Sequence, residues 1–254
     1  MKKVLSFDVD QTLNVAKTPI TNEVADLLLE CLNHFEVCPI SGQKFDQFMI
    51  QIVNRLPNPT PEQLSHLHLF VAQGTQYYRF NTTTNEWEQV YNYPLTEDQV
   101  AKITATIEQS ARELGFWEED KLAPGDEIIE NRESQVTFSA LGQEAGTEAK
   151  YAWDPDHQKR DQIAARCKEL APEFEFEVAG TTSINAVTPG MNKSFGMTHL
   201  LEELHVEKSD ILYFGDMTQP GGNDYPVVSM GIETITVRNH EDTAFALKGI
   251  LGIL

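Results

Sequence analysis

Residues 4–12 read Val4-Leu5-Ser6-Phe7-Asp8-Val9-Asp10-Gln11-Thr12. A short apolar run closed at once by carboxylates and turn-forming residues is the pattern of a buried strand ending in a loop. The sequence beyond it alternates. Thr21 is placed to cap a helix that opens with Asn22-Glu23. Val24, Leu27, Leu28, Cys31, Leu32 and Phe35 then fall on one face at helical spacing. Residues 37–40 form a second apolar run, Phe45, Phe48, Ile52, Val53 and Leu56 a second helical stripe, and residues 67–71 a third strand. Strands separated by helices predict an α/β fold with a Rossmann-like parallel-sheet core.

The pattern changes near Asn81, where residues 81–85 are polar and turn-like. Residues 96–114 predict one long helix and residues 157–170 another. Residues 135–141 and 174–178 alternate by two, as half-solvated strands do. From Pro189 the first pattern returns, with a helix over 193–204, a strand over 211–214, short strands over 227–230 and 233–237, and a closing helix over 242–251. The expected organisation is a core of residues 1–84 and 188–254, split by an inserted α+β cap domain of residues 85–187 with an antiparallel sheet plus helices. Hinges are expected at about residues 81–86 and 186–190.

The chain has 254 residues, 41% of them apolar, with 39 Asp and Glu against 19 Lys and Arg, a net charge of −20. So acidic a surface repels phosphate backbones, which argues against nucleic acid as a partner. No apolar run is long enough to span a bilayer, so no membrane partner is expected. Asp8 interrupts the first apolar run, so no targeting segment is expected and the protein is expected to be cytoplasmic. Cys31, Cys38 and Cys167 have no metal-ligand spacing and read as reduced, buried thiols.

Four signals fall at the carboxyl ends of predicted core strands, the edge at which open α/β sheets bind ligands. Asp8 and Asp10 lie two apart; one carboxylate can attack phosphorus and the other can move the proton of the leaving or incoming oxygen. Ser41-Gly42 pairs a hydroxyl with a backbone N–H suited to a phosphate oxygen. Lys193 opens a helix, where a cation opposes the macrodipole unless it faces an anion. Asp216 and Asp224 bracket a glycine-rich turn and offer hard oxygens that suit Mg²⁺.

The order Asp-x-Asp-x-Thr, Ser, Lys and Gly-Asp…Asn-Asp, at Asp8, Ser41, Lys193 and Gly215 to Asp224, resembles the haloacid dehalogenase superfamily. An insertion between the second and third motifs resembles its cap-bearing type II branch. The lengthened last motif, with Thr218, Pro220 and Gly221-Gly222, resembles the eukaryotic-type phosphomannomutases, as do Asn131-Arg132 and Ser183. The resemblance implies Asp8 as nucleophile, Asp10 as acid/base, and Mg²⁺ held by Asp8, the Asp10 main-chain carbonyl and Asp216. It implies that Ser41 and Lys193 grip the phosphoryl group, while Arg132 and Ser183 face the distal part of the substrate. It also allows a cap-mediated homodimer. Where that family places arginines this chain has Lys17, Gln143 and Lys150, and where it places an aspartate this chain has Asn185. Gln11 replaces a usual glycine. A mutase must hold a second phosphate, which Arg grips bidentately, Lys as a point charge, and Gln as neither. The sequence therefore favours a phosphatase acting on a sugar phosphate or similar small phosphomonoester. The alternatives are a phosphomannomutase, keeping Lys17, Arg132 and Lys150 as a reduced distal site, and a non-enzymatic sugar-phosphate sensor.

Overall fold

The computed structural model describes residues 2–15 and 18–254; Lys17 lies outside the described residues. The strands are β1 (Val4–Phe7), β2 (Glu36–Pro39), β3 (His68–Val71), β4 (Gln76–Asn81), β5 (Glu86–Asn92), β6 (Ile129–Asn131), β7 (Val136–Ser139), β8 (Glu175–Ala179), β9 (Ser183–Val187), β10 (Ile211–Gly215) and β11 (Glu233–Thr236). The helices are α1 (Asn22–Cys31), α2 (Phe45–Gln51), α3 (Pro61–Ser65), α4 (Glu97–Glu113), α5 (Thr147–Trp153), α6 (Gln158–Leu170), α7 (Lys193–Glu203), α8 (Tyr225–Ser229) and α9 (His240–Leu251). They form two compact units, Met1–Asn92 with Met191–Leu254, and Tyr93–Gly190.

In the first unit four parallel strands run in the order β11-β10-β1-β2. Isolated parallel bridges from Val37 to Leu67 and from Ile40 to Phe70 bring β3 beside β2. Because side chains alternate across a strand, each face of the sheet has its own core. Leu5, Phe7 and Val37 pack with Val24 and Leu28 of α1 and Leu247 of α9. Val4, Cys38, Ile211 and Tyr213 pack with Met197 and Leu200 of α7. Burying one such Leu is worth about 1.5–3 kcal/mol, so both helix layers are held by the strands' alternate side chains. Thr21 caps α1 as expected, its hydroxyl accepting from the Val24 N–H.

The division falls later than the sequence suggested. Residues 85–92 were expected in the insertion, but β5 pairs antiparallel with β4, Asn81 against Glu86 and Gln76 against Asn92, so the hairpin stays with the first unit. The second junction likewise lies at Gly190/Met191 rather than 187/188. Residues 227–230, expected as a strand, lie largely in α8, where Pro226 occupies the first turn that a proline tolerates.

The second unit has an antiparallel sheet in the order β6-β7-β9-β8, with α4 and α6 packed on it. Val136, Phe138, Ile184 and Ala186 join Ile103 and Ile107 of α4 and Ile163 of α6 in one core. The other face, Thr137, Ser139, Ser183 and Asn185, is polar but buried; for Thr137 and Ser139 alternation alone predicted a half-solvated strand, and β9 is a strand the sequence reading lacks. Cys31, Cys38 and Cys167 are buried free thiols. No helix among the described residues is long and apolar enough to cross a membrane.

Candidate active site

The parallel register assembles the site. Phe7 stands opposite both Phe214 and Pro39, so the residues after β1, β10 and β2 emerge side by side at the carboxyl edge. The Asp8 N–H donates to the Phe214 carbonyl at 2.8 Å, the Ile40 N–H to the Phe7 carbonyl at 2.8 Å, and the Ser41 N–H to the Phe70 carbonyl at 3.2 Å. Asp8 is 3% exposed, and Asp216 lies one residue beyond β10.

Lys193 is the first residue of α7 and is fully buried. The Asn192 side chain caps the helix by accepting from the Ser194 N–H at 3.0 Å. The helix is seated by a close backbone approach: a Cβ on Gly196 would lie 2.9 Å from Gly74 Cα and 2.7 Å from Ile40 Cδ1. From that seat the Lys193 Nζ donates to Asp8 Oδ1, to Asp224 Oδ1 at 2.6 Å and to the Tyr213 hydroxyl at 3.3 Å. Tyr213 in turn donates to Asp224 Oδ1, and the Met217 N–H donates to Asp224 Oδ2 at 3.0 Å. Gly215 is what admits this carboxylate, since a Cβ there would lie 2.5 Å from Asp224 Oδ2. The cation at the helix N-terminus thus faces anions, as the sequence argument required.

Carboxylate oxygens of Asp8, Asp216 and Asp224 lie within 4.8 Å of one another. Three carboxylates against one ammonium leave an excess of negative charge in a buried place. Burial, outweighing the pull of Lys193, pushes the Asp8 carboxyl well above the usual carboxylate range, with Asp224 and Asp216 adding to the rise. Burial and the Asp224 charge push Asp216 up to about 6. Burial works against the Lys193 charge, but Asp224 and Asp8 more than offset it and hold its pKa above the ordinary lysine value. Asp10 stands outside this cluster and accepts from Gln43 Nε2 on its Oδ1 at 3.0 Å. Ser41 is buried, its hydroxyl accepting from the Gln43 N–H at 3.4 Å, and Gly42 is half-buried beside it.

In the second unit, Ser183 stands opposite Ser139 and Asn185 opposite Thr137. The two serine hydroxyls are 2.9 Å apart, and Asn185 Oδ1 accepts from Thr137 Oγ1 at 2.9 Å. Lys150 donates to the Gln143 carbonyl at 2.6 Å, and the Gln143 amide to Ser139 Oγ at 3.2 Å. Arg132 pairs with Glu130 at 2.7 Å. Ser183, Gln143 and Lys150 are therefore linked through Ser139 in one polar chain, while Asn185 bonds with Thr137 and Gln135.

The profile of the eukaryotic phosphomannomutase family matches residues 61–253. The chain belongs to that family. A probable phosphomannomutase of Caenorhabditis elegans is 24% identical over 259 residues, covering 98% of this chain and 96% of that protein. A phosphomannomutase of Saccharomyces cerevisiae is 25% identical, covering 97% and 93%. Among solved structures, the IMP-nucleotidase of Plasmodium falciparum matches with a TM-score of 0.69 at 14% identity, over 99% of this chain and 68% of that one. A haloacid dehalogenase-like hydrolase from Bacteroides thetaiotaomicron matches with a TM-score of 0.62 at 14% identity, over 98% and 100%. The haloacid dehalogenase fold and the phosphomannomutase branch inferred from the motifs are thereby both found.

The donor set suits the divalent cation that such phosphotransferases generally use. It is all hard oxygen and carries surplus negative charge, as Mg²⁺ requires. Both Asp224 oxygens are already engaged by Lys193, Tyr213 and Met217, so Asp8 and Asp216 are the carboxylates with capacity to spare. Two residues at the site escaped the sequence analysis. Tyr213 sits in an apolar strand and reads as core, and no pattern marks its hydroxyl. Gln43 lies two residues after Ser41, on a predicted strand-end loop, and that position was its one available signal.

Proposed function

We propose that this protein is a hexose-phosphate mutase of the phosphomannomutase kind, working through an aspartyl-phosphate on Asp8. The observation that supports it is the end-to-end alignment with relatives named phosphomannomutases. This replaces the phosphatase that the sequence alone favoured. With Oδ1 held by Lys193, the Asp8 carboxylate is oriented to attack phosphorus through its other oxygen. The Asp8 O–P bond forms as the P–O bond to the sugar breaks; the electron pair stays on the sugar oxygen, which takes a proton from Asp10. In reverse, Asp10 accepts the proton of a sugar hydroxyl as that oxygen attacks the aspartyl-phosphate. Alternating the two on one hexose carries the phosphoryl group between positions by way of a bisphosphate. Mg²⁺, held by Asp8, Asp216 and the Asp10 main-chain carbonyl, would offset the charge of the phosphoryl oxygens. Ser41, Gly42 and Lys193 serve the transferring phosphoryl group. The unit 93–190 serves specificity through Arg132, Lys150, Ser183 and Asn185.

One observation favours hydrolysis as a second reading. Gln143 and Lys150 stand where the family resemblance read from the motifs implied arginines, and neither has the guanidinium fork that holds a distal phosphate bidentately. The test is to supply mannose 1-phosphate and glucose 1-phosphate, with and without a hexose bisphosphate, and follow isomerisation and phosphate release together. Isomerisation that depends on bisphosphate is the expected result. Phosphate release without isomerisation overturns the mutase and leaves the phosphatase.

A further inference from the structure

The geometry points to Gln43 as the residue that positions Asp10 for proton transfer. This rests on the acid/base role given to Asp10 above. Gln43 is 6% exposed, and its amide Nε2 donates to Asp10 Oδ1 at 3.0 Å. The amide presents its nitrogen, the donor end, to the Asp10 carboxyl oxygen. The backbone of Gln43 is fixed from two sides: its carbonyl accepts from the Ala72 N–H at 3.1 Å, and its N–H donates to Ser41 Oγ at 3.4 Å. The base of the side chain is thereby tied to the strand-end loops that carry the other site residues.

The other end of the same amide is what separates this from an ordinary structural bond. Gln43 Oε1 is buried and has no hydrogen-bond partner among the described residues. An unsatisfied buried acceptor is costly, and a side chain kept only for stability would be expected to satisfy both ends or be apolar. Gln43 instead spends its donor on Asp10 and leaves its acceptor open beside it. Gln43 therefore holds Oδ1 of Asp10 in place and fixes the direction in which the carboxyl gives and takes the proton.

A positioning role predicts a defect that depends on the leaving group. A sugar oxygen is a basic leaving group and needs its proton; 4-nitrophenolate is weakly basic and leaves largely without one. The experiment measures the rate of Asp8 phosphorylation by rapid quench, from a hexose bisphosphate and from 4-nitrophenyl phosphate. It compares wild type, Gln43→Met, Asp10→Asn and the double variant. Gln43→Met keeps the side-chain volume and should slow phosphorylation from the bisphosphate by about 10- to 100-fold. From 4-nitrophenyl phosphate it should slow it by less than about 3-fold, with KM for either donor nearly unmoved. In the Asp10→Asn background, adding Gln43→Met should cost nothing further, because residues that act as one unit are not additive. Gln43→Glu, which keeps length and polarity but sets a carboxylate against Asp10, should show the same selectivity and guards against a folding defect in the methionine variant. Equal losses on both donors, or additive losses with Asp10→Asn, overturn the role of Gln43. A wild-type protein that never forms the phosphoenzyme, or an Asp10→Asn variant without leaving-group selectivity, instead overturns the reaction or the role of Asp10.

Discussion

The surplus of negative charge at Asp8, Asp216 and Asp224 gives metal-free protein a stability that falls as pH rises. Asp216 titrates near 6 in the folded chain against an ordinary value of 3.8. A carboxyl raised in this way binds its proton more tightly folded than unfolded. Its contribution to stability is therefore full below about pH 4 and is lost as pH climbs through about 6. The difference corresponds to about 3 kcal/mol, or about 2–3 kcal/mol once solvent screening of a partly exposed group is counted. Replacing Asp216 with Asn removes the ionisation. In excess chelator, Asp216→Asn should be more stable than wild type by about 2–3 kcal/mol at pH 7, and the two should converge near pH 4. Comparing two proteins that differ by one charge also cancels most of the diffuse repulsion from the net charge of −20. The assay is urea unfolding from pH 4 to 8. Trp87 lies in the first unit and Trp117 and Trp153 in the second, so both proteins carry Trp117→Phe and Trp153→Phe to make the signal report the catalytic unit. Added Mg²⁺ should stabilise wild type at neutral pH and do little for Asp216→Asn. If Asp216→Asn is the less stable protein in chelator at pH 7, or if the gap does not change between pH 4 and 7, the account of the cluster is wrong.

Asp8→Asn should form no phosphoenzyme by mass spectrometry while keeping its circular dichroism spectrum, since an amide cannot take the phosphoryl group. Arg160→Leu should destabilise the second unit by about 3–5 kcal/mol, because Arg160 and Asp154 are both essentially fully buried at 2.7 Å and Asp154 would be left unpaired; Trp117 and Trp153 fluorescence in urea reports it, and Asp154→Leu added to it should recover part of the loss. Gly196→Ala should cut turnover by up to about 100-fold with little change in secondary structure, because its Cβ would press on Ile40 and Gly74 and shift α7 with Lys193. Gln11, at φ 64°, occupies the left-handed region that glycine favours, so Gln11→Gly should raise the melting temperature or leave it unchanged, with at most about 1–2 kcal/mol gained.

What could be read from the sequence follows from how locally each feature is specified. β1, α1, β2, α7 and β10 were legible because periodicity and capping residues sit inside each segment. Asp8 and Asp216 were legible because strand ends converge on one edge whatever the details of the core, and Lys193 because a cation opening a helix needs an anion to face. The β4–β5 hairpin is split in the sequence reading because the polar run from Asn81 to Asn85 reads as a domain junction, whereas the chain turns there and pairs back. Trp87, Val90 and Tyr91 after it were the signal that the strand turned back. The bond of Tyr213 to Asp224 depends on tertiary placement, and no local pattern encodes it. The buried polar face of β7 reads as solvated for the same reason, since alternation tells which side chains share a face and not what covers them.

The catalytic sheet is closed by chain segments that are far apart in synthesis. Val4 pairs with Ile211 and Leu5 with Leu212, while the inserted unit is one uninterrupted stretch, Tyr93–Gly190. A growing chain emerges with β1 and β2 first, then the whole insertion, and only afterwards the strand that belongs between β1 and β11. The insertion has everything it needs to form its own core early, whereas β1 waits with one edge open until residue 211 has been made. A nascent or C-terminally clipped chain therefore presents an apolar, unpaired parallel edge, the kind of surface that recruits other chains. Ribosome stalling or proteolysis before β10 should yield aggregates rather than a smaller folded enzyme.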